Sequence, residues 1–355
     1  MKFGVVNRVT DGFFRYQAWP TVARDETGVL YAASSGHRLG HVCPFGKDLL
    51  YISHDEGESW LGPIIANDTY MDDRDAGLIA WGDGQLLLSW FAHPWASMDK
   101  RDGINPSVSL PLSLGAREMW KELDPKEEAF GSYVKLSTDG GKTWGDRIRV
   151  PLTAPHGPIR KKDGSFLYFG KTFHAEEFGY EPQRIYAAES RDGKTWEKLG
   201  MVPTVEGVEP ERFCEPHVLE LPNGTLLGAI RVNREDKSVD NEIYTTVSAD
   251  GGKTWSAPEN IGQVGAPPHL LLHSSGAIVM TTGRRVAPFG QRALISYDGG
   301  RTWSEPLVIS QEAPDWDLGY PSSVELPDGS ILTVYYQKYP GDPYNSLLST
   351  RWELP

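Results

Sequence analysis

SYDGGRTW (296–303) is one of five copies of a single short pattern, Ser-x-Asp-(x)-Gly-x-x-Trp, and that pattern decides how this chain is read. The others are SHDEGESW (53–60), STDGGKTW (137–144), SRDGKTW (190–196, one residue short) and SADGGKTW (248–255). Recurrence at this frequency means a repeat architecture. Each copy has the chemistry of a hairpin tip: Asp and Gly make the turn, while Ser and Trp pin it against its own sheet. The motif is therefore scaffold, and its aspartates are not expected to do chemistry.

A second periodic signal precedes each copy: an alternating stretch, a turn glycine and another apolar strand. Examples are EPHVLELPNGTLLGAI (215–230) and YPSSVELPDGSILTVY (320–335). The turn glycines are Gly28, Gly84, Gly164, Gly224, Gly276 and Gly329, spaced 56, 80, 60, 52 and 53 residues apart. This predicts six units of four strands, the last with only a worn motif, LLSTRW (347–352). The N-terminal FGVVNRV (3–9) is expected to supply the outer strand that closes the ring and removes its open edge. One all-β domain over 1–355 follows. The long interval locates an insertion within unit 2, about residues 93–131, read as a rim loop or subunit contact with a short polar helix over AREMWKELDPKEEAF.

Composition sets bounds. With 38 Gly, 26 Pro, 12 Trp and 15 Tyr in 355 residues, the chain suits a turn-rich β protein. Two cysteines, Cys43 and Cys214, fall in opposite parts of the ring and are not expected to bridge. A net charge of −13 argues against nucleic acid or an anionic membrane as partner, but not against a small anion held by local arginines. No apolar run approaches membrane-span length, and no secretory leader is visible, so a cytoplasmic location is expected, or a secreted or periplasmic one if a leader has been trimmed. Oligomeric state is left open.

The repeated motif resembles the Asp box (BNR repeat) of the sialidase superfamily, which implies a six-bladed β-propeller with four-stranded antiparallel blades. In such a ring the first strand of each blade lines the central channel. The residue nine before each turn glycine is then Trp19, Asp75, Pro155, Glu215, Pro267 or Tyr320, so an Asp, a Glu and a Tyr face one axis. Where the second strands reach the mouth, Arg231 and Arg285 join them. CEPHVLELPNGTLLGAIR (214–231) resembles the sialidase segment with a catalytic Glu followed by a substrate-binding Arg, implying Glu215 and Arg231. DLGYPSSVELPDGSILTVYY (317–336) is similar to the segment carrying the tyrosine nucleophile, implying Tyr320. GRRVAPFGQRALISYDGGRTW (283–303) resembles the blade with the last arginine of the carboxylate-binding triad, here Arg285 or Arg284.

The chemistry suits these residue types. Planar guanidinium groups grip a carboxylate in two places. A carboxylate nucleophile would be repelled by the substrate's own carboxylate, so a neutral tyrosine deprotonated by a neighbouring Glu takes its place.

The first blade departs from the family. Trp19 stands where the first triad Arg is usual; Arg15, four residues upstream, could replace it only if the loop folds back, and Arg38 resembles the arginine that follows the second strand in many sialidases. The usual acid/base Asp before the first box is missing, and HRLGHVCPFGKDLLYIS (37–53) offers only Asp48. MDDRDAG (71–77) offers replacements: Asp73 or Asp75 as proton donor and Arg74 as the third guanidinium, unless this is a turn of internal salt bridges. His37 is a further acid/base candidate. His37, His41 and Cys43 lack the further ligands a metal needs, and no cofactor is expected. His156 is expected to face the channel as a sugar partner or filler. The resulting expectation is an exo-glycosidase acting on a terminal acidic sugar such as sialic acid. Tyr320 and Glu215 would do the chemistry, Arg231, Arg285 and one of Arg38 or Arg74 would hold the carboxylate, and Trp19 would supply an apolar or stacking wall. The alternatives are a lyase or hydrolase for uronic-acid or keto-deoxy-sugar glycans, or a carbohydrate-binding protein without turnover.

Overall fold

All six turn glycines hold φ between +70° and +95°, a region open to glycine and strained for other residues, so each strand arriving there must reverse. The computed structural model describes residues 1–93, 130–236 and 239–355, with residues 115, 118 and 122 between. In it, each glycine joins the first and second strands of one sheet, and six antiparallel sheets stand around an axis. The first blade runs Tyr16–Arg24, Leu30–Arg38, Lys47–Ser53, Leu61–Asn67 from the axis outward. The last runs Gly319–Glu325, Ile331–Lys338, Asn345–Trp352, and its outermost strand is Lys2–Asn7, paired from Lys2↔Arg351 to Asn7↔Leu347. The N-terminus thus closes the ring as the sequence implied. Blade 3 has its inner strand in two pieces, Leu152–Thr153 and Ile159–Arg160, separated by a stretch in which Pro155 and Pro158 have no N–H to give a ladder. Apart from its ends and residues 115, 118 and 122, the insertion, with its expected helix and rim role, lies outside the described residues.

The boxes connect third and fourth strands, on the face opposite the mouth. In one, the Ser296 hydroxyl donates to Asp298 Oδ1 (2.8 Å) and accepts from the Gly300 N–H (2.9 Å). Asp298 also accepts from the Thr302 N–H (2.9 Å) and hydroxyl (2.6 Å). The same set recurs at Asp55, Asp139 and Asp250. A side chain on the box glycine would strike the preceding blade: Gly57 meets Leu332, Gly141 meets Leu50, Gly193 meets Leu87 and Gly300 meets Leu227. Each box is therefore a turn and also a seat for its neighbour.

Near the axis a second device links the blades, seven residues before the turn glycines. His217 Nδ1 accepts from the Leu270 N–H of the next blade (3.0 Å), His269 Nδ1 from the Ser323 N–H (3.4 Å), and Ser322 Oγ from the Val22 N–H (3.1 Å). Blades 2 and 3 carry Gly77 and Gly157 at this level, and His156 reaches across to Thr21 Oγ1 (3.1 Å). Burial holds all three imidazoles below their ordinary pKa, His217 at about 3, so they are neutral packing groups. His156 is accordingly a packing group in the channel.

Backbones of adjacent blades approach closely at Gly77, where a Cβ would lie 2.3 Å from Gly157 N and 2.5 Å from its Cα. Gly77→Ala must push blades 2 and 3 apart and is expected to cost about 1–3 kcal/mol or more. Gly276→Ala, with φ +88° and open space around it, is expected to cost only about 1 kcal/mol of backbone strain. Urea unfolding midpoints of the two variants check the contrast, and equal losses would remove the close-approach argument.

Candidate active site

Inner strands alternate their side chains, so an unbroken strand would point only every second residue at the channel. The structure interrupts that alternation at one level. Trp19, Asp75, Glu215 and Tyr320 have φ of +52°, +57°, +47° and +51°, and each lies within a register shift of its strand. The other two positions at that level are prolines, which cannot adopt this φ. A non-glycine residue held left-handed costs about 1–3 kcal/mol, and such residues cluster where function requires them. The bulges turn the four side chains into one cup.

At its base the Tyr320 hydroxyl donates to Glu215 Oε1 (2.8 Å), and Arg231 Nη1 binds Glu215 Oε2 (2.6 Å). Asn233 Oδ1 accepts from Arg231 Nε (2.9 Å). Arg285 Nε donates to Leu318 O (3.0 Å) and Nη2 to the Tyr336 hydroxyl (3.1 Å), which sets its guanidinium carbon 5.4 Å from the Tyr320 ring centroid. Neighbouring Arg284 instead caps the carbonyls of Val286 and Ala287, which separates the two candidate arginines. Burial opposes ionisation of Glu215, but Arg231 and Arg285 outweigh it and hold the carboxyl below its ordinary value. Burial, reinforced by Glu215 and Asp75, pushes the Tyr320 phenol well above its usual range. At rest the pair is a phenol donating to a carboxylate.

Asp75 closes the blade 2 side. Burial raises its carboxyl to about 7, with Arg74 opposing and Glu215 adding to the shift, and its Oδ1 is buried without a protein partner. Arg74 lies 4.3 Å over the Trp19 ring, an arrangement worth about 1–2 kcal/mol when desolvated.

Four expected site residues are placed differently. Asp73 is fully buried and accepts from the Thr69 N–H (2.9 Å), the Thr69 hydroxyl and the Trp90 indole (3.1 Å); it pins the turn that leads from blade 1 into blade 2. Arg38 is also fully buried, with Nη2 2.6 Å from Asp72 Oδ1 and its other donors on Ser35 Oγ and the carbonyls of Gly40, His41 and Asp73. It fastens blade 1 to blade 2 and has no face for a ligand. His37 neighbours Lys47, which opens the third strand of blade 1, and Asp68, just past its fourth. Trp19 is only 1% exposed, so it is a wall behind Arg74 and Tyr320 and offers no stacking face. Arg15 is directed away, over the Tyr344 ring. His37, His41 and Cys43 are not gathered, since His41 bonds Asp317 and Cys43 Sγ accepts from the Leu39 N–H.

Four residues, Tyr16, His41, Asp317 and Tyr336, form a cluster that sequence reasoning did not assemble. Asp317 accepts from the Tyr16 hydroxyl (3.0 Å) and the Tyr336 hydroxyl (3.3 Å), and lies 3.0 Å from His41 Nδ1. Tyr336 was visible as a second-strand residue near the mouth, but nothing in the sequence joins His41 to a residue 276 positions away.

Residues 120–334 match the family model described as BNR repeat-like domain. No curated protein matches the chain by sequence. Among solved structures, a protein of unknown function from Dyadobacter fermentans is similar at 22% identity and TM-score 0.76, covering 100% of this chain and 98% of that one. The NanB sialidase from Streptococcus pneumoniae is similar at 14% identity and TM-score 0.69, over 99% of this chain and 70% of that one. The intramolecular trans-sialidase from Ruminococcus gnavus is similar at 14% identity and TM-score 0.68, over 99% and 97%. At these identities the likeness is one of fold.

An arginine at position 19 would set a third guanidinium against Arg38 and Arg74, whose charges already lie within 4.7 Å of the Trp19 ring. Trp19→Arg is therefore expected to destabilise the fold by at least about 3 kcal/mol in urea unfolding. A neutral effect would mean that Trp19 merely occupies an arginine site.

Proposed function

We propose that this chain, which belongs to the BNR repeat-like domain family, is an exo-glycosidase that releases a terminal sugar bearing a carboxylate at or beside its anomeric carbon, with sialic acid as the first candidate. The observation that carries the reading is the Tyr320–Glu215–Arg231 chain of hydrogen bonds on strained backbone, with Arg285 and Arg74 on its flanks.

The substrate carboxylate binds among Arg231, Arg285 and Arg74. This site resists a carboxylate nucleophile, because Glu215 is already the one ionised acid it neutralises. Tyr320 approaches the anomeric carbon as a neutral phenol, and its proton passes along the 2.8 Å bond to Glu215 Oε1 as the new C–O bond forms. The arginines that hold Glu215 ionised also steady the phenolate character that develops. Asp75, protonated below about pH 7, adds no charge opposite the bound carboxylate and hydrogen-bonds the sugar.

Product release from aryl and natural α-sialosides, keto-deoxy-sugar glycosides and uronic-acid oligosaccharides tests the reading. Free acidic sugar from the wild type, with kcat lowered on the order of 10³-fold or more in Tyr320→Phe, is the expected result. An unsaturated uronide would make the enzyme a lyase, and affinity without turnover would make it a binding protein.

Asp75 supplies a pH test. A raised pKa means the carboxyl is neutral below about 7 and becomes an anion above it. Affinity for a free acidic sugar is expected to fall as pH rises through that value, by up to about tenfold per unit. Asp75→Asn should flatten the dependence in calorimetric titrations. An unchanged slope would place the titrating group elsewhere.

A further inference from the structure

Departure of the second sugar needs a proton on the glycosidic oxygen, and the groups so far assigned do not deliver one at the right place. In an exo-acting cup the leaving group projects outward through the mouth. Asp75 is at the level of Tyr320 and Glu215, 7% exposed, with Oδ1 sealed from solvent. The segment between the second strand of blade 1 and its first box, where the family's acid/base Asp is missing, carries a histidine, His41, whose ring lies against Trp19 and Trp316.

Its surroundings are built. The ring stands edge-on to Trp19 at 5.1 Å, and Trp19 in turn borders Tyr320 at 6.4 Å. Trp316, 54% exposed, covers it from outside at 5.9 Å. Arg38 holds the His41 carbonyl (3.0 Å), so the backbone is fixed too. Nδ1 lies 3.0 Å from Asp317 Oδ1 and 3.0 Å from the Tyr16 hydroxyl. Tyr16 and Tyr336 both donate to Asp317, which keeps that carboxylate ionised and oriented; burial works against its charge, but His41 and Tyr16 outweigh it. A carboxylate can only accept, so Nδ1 carries the hydrogen and Nε2 is the exchangeable position. Among the described residues no protein group bonds Nε2. The charged groups facing His41 are Asp317 on one side and Arg74 and Arg285 on the other, and burial with these two cations lowers its pKa against the pull of Asp317.

We propose that the His41–Asp317 dyad is the acid/base group of this site, with His41 Nε2 serving the leaving oxygen and Asp317 positioning the ring. The inference rests on the glycosidase reading. In the first half-reaction the bond between the anomeric carbon and the glycosidic oxygen breaks, and that oxygen takes the electron pair and the Nε2 proton. Tyr320 Oη bonds the anomeric carbon and gives its proton to Glu215. In the second half-reaction water attacks the same carbon and returns a proton to Nε2, while Tyr320 leaves and recovers its proton from Glu215. Atoms and charges balance without any added reagent.

The test compares wild type, His41→Gln, Asp317→Asn and Asp75→Asn on aryl glycosides of one acidic sugar, with leaving phenols of pKa from about 5 to 10, and on a disaccharide of the same sugar. The substrate is whichever acidic sugar the wild type releases. His41→Gln is expected to keep kcat/KM, which reports the first half-reaction, within about threefold on the most acidic phenol and to lose roughly 10²–10⁴-fold in it on the disaccharide. It should also lose the limb in which disaccharide turnover falls as pH rises through a value below 6.5, the ordinary histidine value. Asp317→Asn should show the same leaving-group dependence in weaker form, and Asp75→Asn a loss that is uniform across the series. Equal loss of kcat/KM on every substrate in His41→Gln, or a leaving-group dependence of kcat/KM that appears in Asp75→Asn instead, overturns the proposal. Absence of turnover by the wild type on any substrate overturns the glycosidase reading itself, and the dyad's role with it.

Discussion

A left-handed backbone at one level of four inner strands is the constraint on which this molecule turns. Without those bulges, Asp75, Glu215 and Tyr320 would stand among alternating channel residues, each aimed by its own strand. With them, side chains from blades 2, 4 and 6 meet in one cup, and Trp19 from blade 1 backs it. Each bulge costs about 1–3 kcal/mol, so the ring must hold it in place. The ring does so through the boxes that seat each blade on the last, the axial bonds from His217, His269 and Ser322, and the buried Arg38–Asp72 pair. Breaking a buried ion pair of that kind costs about 3–5 kcal/mol, more than the strain of any one bulge.

The cup's electrostatics follow from that placement. Three acids and three arginines share a small volume, and the environment sorts them by charge. Glu215, against Arg231 and Arg285, is ionised; Asp75, more deeply enclosed and facing Glu215, holds its proton to about 7; Tyr320 remains a phenol. Two carboxyls driven in opposite directions beside a buried phenol are the arrangement expected of acid–base chemistry. Arg74 stacks on the Trp19 indole, so blade 2 adds a guanidinium to those of Arg231 and Arg285 from blades 4 and 5.

Most of the fold was legible because the turn chemistry repeats: Asp and Gly fix the boxes and six glycines fix the spacing. Tyr320, Glu215, Arg231 and Arg285 were legible for the same reason, since equivalent repeat positions face a common axis. What repetition does not encode was harder to see. Asp73 and Asp75 are two residues apart and read as equivalent acids, yet the bulge sends one into the cup and leaves the other on Thr69 and Trp90. Arg38 and Arg74 likewise looked interchangeable until Asp72 was seen to hold the first. His37 and His41 lie on one short segment, but only the second meets Asp317, a contact made across the closure of the ring between blades 1 and 6.

The central claim is that Tyr320 makes the bond to the sugar. The direct measurement is peptide mass spectrometry of the enzyme after reaction with a slowly turned-over fluorinated acidic glycosyl donor. The account predicts a glycosyl adduct on the peptide containing Tyr320, absent from Tyr320→Phe. An adduct on any other residue, or turnover that proceeds with inversion and leaves no adduct, would contradict it.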